Sequence, residues 1–186
     1  MMAYFTASIE GKKYFLKRYL LIVKLLKSQK YQVISDHIIN STEESIRMEN
    51  KEDKLKFQRQ LESWIQNCDF VVAEASFPSI SVGYEISLAA NRDKPVLILY
   101  SNDHAPSLLE VTNEEKIVCQ KYKIKNLKSI LTDFINFAKR VNDIKLNFFI
   151  SPRLFAYLEK VSKKEKMPKS VYLRKLIGRD IKNHRN

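Results

Sequence analysis

The chain has 186 residues, 45% of them apolar and 29% charged, enough for one α/β domain with a small appendage and ordinary for a globular protein. Two cysteines, Cys68 and Cys119, and three scattered histidines exclude a disulfide framework and zinc-ligand spacing, so no metal or cofactor is expected. No basic-then-apolar leader opens the sequence, and no apolar run nears the roughly 20 residues of a membrane span, so a cytoplasmic setting is expected.

The net charge of +12 is unevenly spread. From Lys145 onward twelve basic side chains face three acidic ones, whereas the preceding residues are nearly balanced. A basic tail on a neutral domain suits nucleic acid or another polyanion, and equally a solvated lysine-rich helix face.

Residues 3–8 are a short apolar strand. Gly11 opens an amphipathic helix with Phe15, Tyr19, Ile22, Val23 and Leu26 on one face. Residues 31–35 alternate as a second strand, and the polar stretch 40–52 is expected to be a mobile loop. Residues 55–65 form a helix, 70–73 a buried strand, 82–91 a helix and 95–100 another buried strand. A turn at 101–106, a strand at 115–118 and a helix at 127–141 complete the first domain, residues 1–142. Strands alternating with helices imply a parallel sheet with helices on both faces.

The second module, residues 143–186, reads as strand-helix-helix. Residues 145–151 form a strand. Pro152 starts a helix burying Leu154, Tyr157, Leu158 and Val161, and Ser170 caps a second helix. About 40 residues cannot bury a core alone, so this module needs a partner copy.

In such sheets ligands bind beyond the carboxyl ends of the strands. The turn from the strand at 70–73 into the following helix carries Pro78, Ser79, Ser81 and Gly83, and Glu85 is expected in the first helical turn, kept ionised by the helix dipole. Gly11 and Gly83, two of the chain's three glycines, fall in the two turns that would line this rim. A carboxylate there can stabilise or attack an anomeric carbon as an N-glycosidic bond breaks. Each residue also has an ordinary explanation: Glu85 as a helix cap, Tyr4 and Trp64 as core, Ser79 and Ser81 as turn residues, Asp69 and Glu74 as structural groups. Lys12 and Lys13 sit at a helix start, where cations are unfavourable, which suits a phosphate partner or a solvated turn.

The pairing of YFTASIEG (residues 4–11) with AEASFPSISVGYEISLA (residues 73–89) resembles the nucleoside 2-deoxyribosyltransferase superfamily, nearest its 2′-deoxynucleoside 5′-phosphate N-hydrolase branch. The resemblance covers roughly residues 3–135. It implies a flavodoxin-like (Rossmann-like) sheet, a homodimer with sites near the subunit interface, and cleavage of the base–sugar bond of a nucleoside or nucleoside 5′-monophosphate. It implies Glu85 as nucleophile with Tyr4 as its hydrogen-bonding partner. Ser8, Gly11, Ser79 and Ser81 would line the 5′ end of the nucleotide, Ile9 and Gly83 would belong to the same substrate site, His37 would lie near the base, and Ser107 would come from the neighbouring subunit. The chain departs from the pattern at Ala7, Glu10, Lys12 and Ser81. Where the family has an aspartate on the helix at 55–65, this chain has Leu61, flanked by Gln60 and Glu62.

Residues 144–182 resemble a ribbon-helix-helix fold. That resemblance implies dimerisation or DNA binding, with Lys145, Asn147 and Phe149 facing outward from the strand and Ser170 at a helix start clamping a phosphate. The rival to a glycosidase is therefore a DNA-binding regulator whose α/β domain senses a nucleotide without turnover.

Overall fold

In a computed structural model of the protein, residues 1–47, 50–102, 106, 115–140, 149–165 and 167–184 are described. Two compact units emerge, Met1–Ile144 and Lys145–Asn186.

The first unit runs β1 (Met2–Ala7), α1 (Lys12–Ser28), β2 (Gln32–Ile34), α2 (Asp36–Ile39), α3 (Glu43–Arg47), α4 (Lys51–Asn67), β3 (Phe70–Glu74), α5 (Ile80–Asn91), β4 (Val96–Tyr100), β5 (Ile117–Lys121) and α6 (Ile124–Arg140). The strands form one parallel sheet in the order β2-β1-β3-β4-β5. This is the flavodoxin-like order, whose switch point lies between β1 and β3. There Tyr4 pairs with Val71 and Ala7 with Glu74.

Side chains alternate across the sheet with period two, so the central strands feed two cores. Phe5, Val72, Leu97 and Leu99 pack with Tyr19, Leu26, Leu131 and Phe134 of α1 and α6. Tyr4, Val71, Ala73 and Ile98 pack with Leu61, Ile65, Val82 and Ile86 of α4 and α5. Burial on both faces is why β3 and β4 read as continuous apolar runs in the sequence.

Three expectations need correction. The polar stretch 40–52 is not simply a loop: it holds α3 and the start of α4. Asn50 caps α4 by accepting the Asp53 N–H at 2.9 Å, and Glu52 and Asp53 fall in the first turn, where the helix dipole favours acids. The last strand is β5 at Ile117–Lys121, later than 115–118. Helix α5 starts at Ile80, because Ser79 is the cap and its Oγ accepts the Val82 N–H. Glu85 therefore sits more than a turn inside α5, beyond the reach of its N-terminal donors.

The second unit contains α7 (Pro152–Lys164) and α8 (Lys169–Asn183). Ser151 caps α7 ahead of Pro152, as helix-start chemistry favours. Of the residues expected to be buried on α7, Leu158 is buried, while Leu154 and Tyr157 are exposed. Helix α8 begins at Lys169 with Pro168 at the cap position, so Ser170 is not the cap. Phe149 is fully exposed. Lys145 and Asn147, and most of the strand expected at 145–151, lie outside the described residues. Among the described residues no helix is long and apolar enough to cross a membrane.

Candidate active site

The turns following β1, β2 and β3 meet at one edge of the sheet. Glu85 projects from α5 toward β1 and is almost fully buried. Tyr4, wholly buried, donates its hydroxyl proton to Glu85 Oε2 at 2.9 Å. The same phenolic oxygen lies 2.8 Å from His37 Nε2. A phenol has one proton, and here Glu85 takes it. His37 must then donate from Nε2, which leaves Nδ1 as a bare acceptor. That Nδ1 is buried and has no protein partner.

Burial shifts the pKa of all three groups. It holds the Glu85 carboxyl above the usual carboxylate range, and the Thr6 and Tyr4 hydroxyls beside it pull the other way without cancelling the effect. The helix dipole expected to favour the ionised form is outweighed, because α5 starts too early to set Glu85 beside its N-terminal donors and loss of water raises the pKa. Burial, reinforced by the charge of Glu85, pushes the Tyr4 phenol well up, so it remains a donor. Burial pulls His37 down to about 4, against a weaker opposing effect of Asp36, so the imidazole is neutral near pH 7.

Above the triad opens a cavity of about 830 Å³. Ser8, Ile9, His37, Ser79, Ser81 and Glu85 all line it. Gly11 and Gly83 do not. Gly11 instead permits a close approach, since a Cβ there would stand 2.7 Å from Phe77 Cβ and 2.7 Å from the Tyr19 hydroxyl. Only glycine lets the turn after β1 close on the turn after β3. Gly83 is exposed, with nothing within 4 Å of a Cβ added there. Ser107 lies outside the described residues.

Two lining residues escape a reading of the sequence. Trp64 reads as helix core, yet it lines the cavity with its ring centroid 5.0 Å from that of His37. Phe57 meets Trp64 edge-on at 6.1 Å. With His37 stacked on Tyr4 at 5.0 Å, these rings make one aromatic wall. The seven-residue interval between Phe57 and Trp64, two helical turns, is the signal the sequence offers. Leu61 is buried in the core with Tyr4, while Gln60 and Glu62 do not line the cavity, so α4 brings no carboxylate to it. Lys12 is also accounted for: its ammonium donates to the Ile39 and Ser41 carbonyls at 2.8 and 2.6 Å.

Asp69 and Glu74 serve the fold. Asp69 accepts the Met2 N–H. Glu74, wholly buried, accepts the Tyr122 hydroxyl at 3.0 Å and also bonds Ser76, and burial raises its pKa. Among the described residues no group of three His, Cys, Asp or Glu could hold a metal ion.

Fold and site together define a flavodoxin-like α/β protein with a buried carboxylate–phenol pair at the switch point of its sheet. No protein-family model matches the chain. Individual relatives do match it. A Methanosarcina barkeri protein, provisionally named 2′-deoxynucleoside 5′-phosphate N-hydrolase 1, is 31% identical over 134 residues, covering 71% of this chain and 83% of its own. Its Methanococcoides burtonii counterpart of the same provisional name is 30% identical over 117 residues, 61% of this chain and 91% of its own. The 5-hydroxymethyl-dUMP N-hydrolase of Rattus norvegicus is 33% identical over 97 residues, covering 52% and 59%. Among solved structures, the CMP N-glycosidase of Clostridium botulinum aligns with a TM-score of 0.52 at 15% identity, across 72% of this chain and 99% of that one, which supports the fold. The chain belongs to the 2′-deoxynucleoside 5′-phosphate N-hydrolase family of the nucleoside 2-deoxyribosyltransferase superfamily.

Proposed function

We propose that the α/β unit is an N-glycosidase that cleaves the base–sugar bond of a nucleoside or nucleoside 5′-monophosphate, with Glu85 as nucleophile. The observation that carries this reading is the 2.9 Å Tyr4–Glu85 contact at the floor of an aromatic-walled cavity. A base stacks on the Trp64 wall, which leaves its sugar over Glu85. A Glu85 oxygen attacks C1′, the C1′–N bond breaks, and its electron pair leaves with the base, which takes a proton from water. In the second step water attacks C1′, loses its proton to solvent, and the ester bond to Glu85 breaks, returning the carboxylate. A second base in place of water would give transfer instead. Tyr4 holds the reactive oxygen in position and stabilises its charge.

Two further features favour a homodimer. Ile80, beside the cavity, is 94% exposed, and Tyr84 on the same helix is about half exposed; a second copy would cover them. In the C-terminal unit Leu154, Phe155, Tyr157, Ile177 and Ile181 are exposed on two short helices. We read that unit as a dimerisation arm whose basic surplus can meet a polyanion such as DNA.

Free-base release from ribo- and deoxynucleosides and their 5′-monophosphates, by wild type and Glu85→Ala, tests the activity. Release that falls at least about a thousandfold in the variant supports the nucleophile. Binding without release by the wild type would favour a nucleotide sensor.

A further inference from the structure

The α/β unit is close to neutral as a whole, yet its charge is sorted by helix. Helix α1 carries six lysines and arginines and no acid, and α6 carries four, with Asp133 as its one acid. The rest of residues 1–144 holds eleven basic and seventeen acidic side chains. The two helices pack into one core on the same side of the sheet, and Gln29, just past α1, donates to the Thr132 hydroxyl of α6 at 3.4 Å. One outer face of the unit is therefore basic, while the remainder is acidic.

On α1, Lys13, Lys17, Lys24 and Lys27 are exposed. Together with exposed Leu20 they follow one another at helical spacing, which sets them in a row about 21 Å long. On α6, Lys125, Lys128, Lys139 and Arg140 are exposed, and the three lysines share one helical phase. Among the described residues none of these eight makes an ion pair; Lys13 and Lys139 lie over the Tyr14 and Tyr31 rings. The half-buried cations of α1 differ: Lys12 bonds Ile39 and Ser41, and Arg18 bonds Ser101. Eight like charges on one face repel one another, and a polyanion relieves that repulsion. A bilayer would need an apolar helix face to insert, but the apolar sides of α1 and α6 are buried in the core. A single strand would need aromatic platforms for its bases, and Tyr14 is the one exposed aromatic side chain of the two helices. A duplex needs neither. It presents a phosphate charge about every 1.7 Å of its axis, a regular density that a row of cations can follow. Lysines meet phosphates as point charges and read no base edge.

We infer that the α1–α6 face is a docking surface for the phosphate backbone of duplex DNA, indifferent to base sequence. It lies on the side of the sheet opposite α4 and α5, which wall the cavity. This surface goes beyond the N-glycosidase reading and does not rest on it.

The test measures binding of the full chain to a labelled mixed-sequence duplex between about 50 and 200 mM salt. The variant carries Lys17→Gln, Lys24→Gln, Lys27→Gln and Lys128→Gln. A charge-matched control carries Lys51→Gln, Lys54→Gln, Lys56→Gln and Arg59→Gln on α4, and a second control replaces the four lysines of the variant by arginine. The C-terminal unit is intact in all of them, so its share of binding is constant. The variant should lose about three to four from the slope of log affinity against log salt, and about tenfold or more in affinity near 100 mM salt. The α4 control and the arginine control should keep both within about one unit of slope and threefold in affinity. Unchanged binding by the variant overturns the inference, as does an equal loss in the α4 control, which would reflect net charge alone. Loss in the arginine control also overturns it, by pointing to packing rather than charge. Wild-type binding to single strands or to anionic phosphatidylserine vesicles, with none to the duplex, assigns the face to another partner and overturns it as well.

Discussion

Tyr4 and Glu85 stand 81 residues apart in sequence and meet at 2.9 Å, with His37 Nε2 2.8 Å from the same phenolic oxygen. The Tyr4 hydroxyl is one of two that lower the Glu85 pKa against burial. Removing it in Tyr4→Phe keeps the ring but lets burial act with less opposition. The Glu85 pKa then rises further, and the ionised nucleophile persists only at higher pH. The acid limb of the kcat/KM profile should move to higher pH, with kcat lower by about tenfold to a hundredfold near neutrality. An unmoved acid limb would mean that Glu85 is not the titrating group.

The same raised pKa has a consequence for stability. A carboxyl whose folded pKa lies above its unfolded value favours the fold while protonated, and loses that contribution as the pH rises through the folded pKa. Glu85 accordingly weakens the fold at neutral pH. Glu85→Gln keeps the Tyr4 hydrogen bond and removes the charge. Its Tm should exceed that of the wild type at about pH 8, and the gap should close below about pH 4, where both proteins are neutral at this position. Equal Tm values at both pH values would show that burying the Glu85 carboxylate does not destabilise the fold.

Much of the fold was legible because parallel strands buried on both faces leave unbroken apolar runs, as at Phe70–Glu74 and Val96–Tyr100. Tyr4, Glu85 and the serines stood out as a motif. The start of α5 was obscured because Pro78 and Gly83 look like breakers, while the local cap at Ser79 decides the boundary. Trp64 was opaque for another reason. A helix packed on a sheet buries its apolar stripe at the same spacing whether that stripe faces core or cavity, and only the tertiary position of His37 separates the two. The apolar faces of α7 and α8 were visible, but amphipathicity reveals which face is apolar, not what covers it.

The aromatic wall makes Trp64 a binding residue. Stacking on an aromatic side chain contributes about 1–3 kcal/mol per base. Trp64→Ala should therefore raise KM by about tenfold or more. The kcat should change far less, because Tyr4 and Glu85 are held by β1 and α5 rather than by this ring. If kcat falls instead and KM holds, the ring acts by packing against His37 and not against the base.

Gly11 holds the two rim turns together through space alone. The added Cβ in Gly11→Ala would stand 2.7 Å from Phe77 Cβ, which cannot swing away as the end of a side chain could. Overpacking of this kind costs about 1–3 kcal/mol. Thermal unfolding should show a clear drop in Tm for Gly11→Ala and almost none for Gly83→Ala, where nothing lies within 4 Å. A reversed order would contradict the close approach of the two turns.

The C-terminal unit is small for its exposed apolar surface. Helices α7 and α8 leave Leu154, Tyr157, Ile177 and Ile181 exposed, with Leu158 the buried apolar side chain of α7. Burying such side chains in a partner contributes about 1.5–3 kcal/mol each when complete. Sedimentation of the full chain should report a dimer or a larger assembly. Leu154→Asp with Ile177→Asp should lower that assembly state if the arm pairs copies. The basic surplus makes a separate claim: duplex DNA should bind the full chain with an affinity that falls steeply with salt. Assembly unaffected by the double substitution, together with no salt-sensitive DNA binding, would remove both roles from this unit.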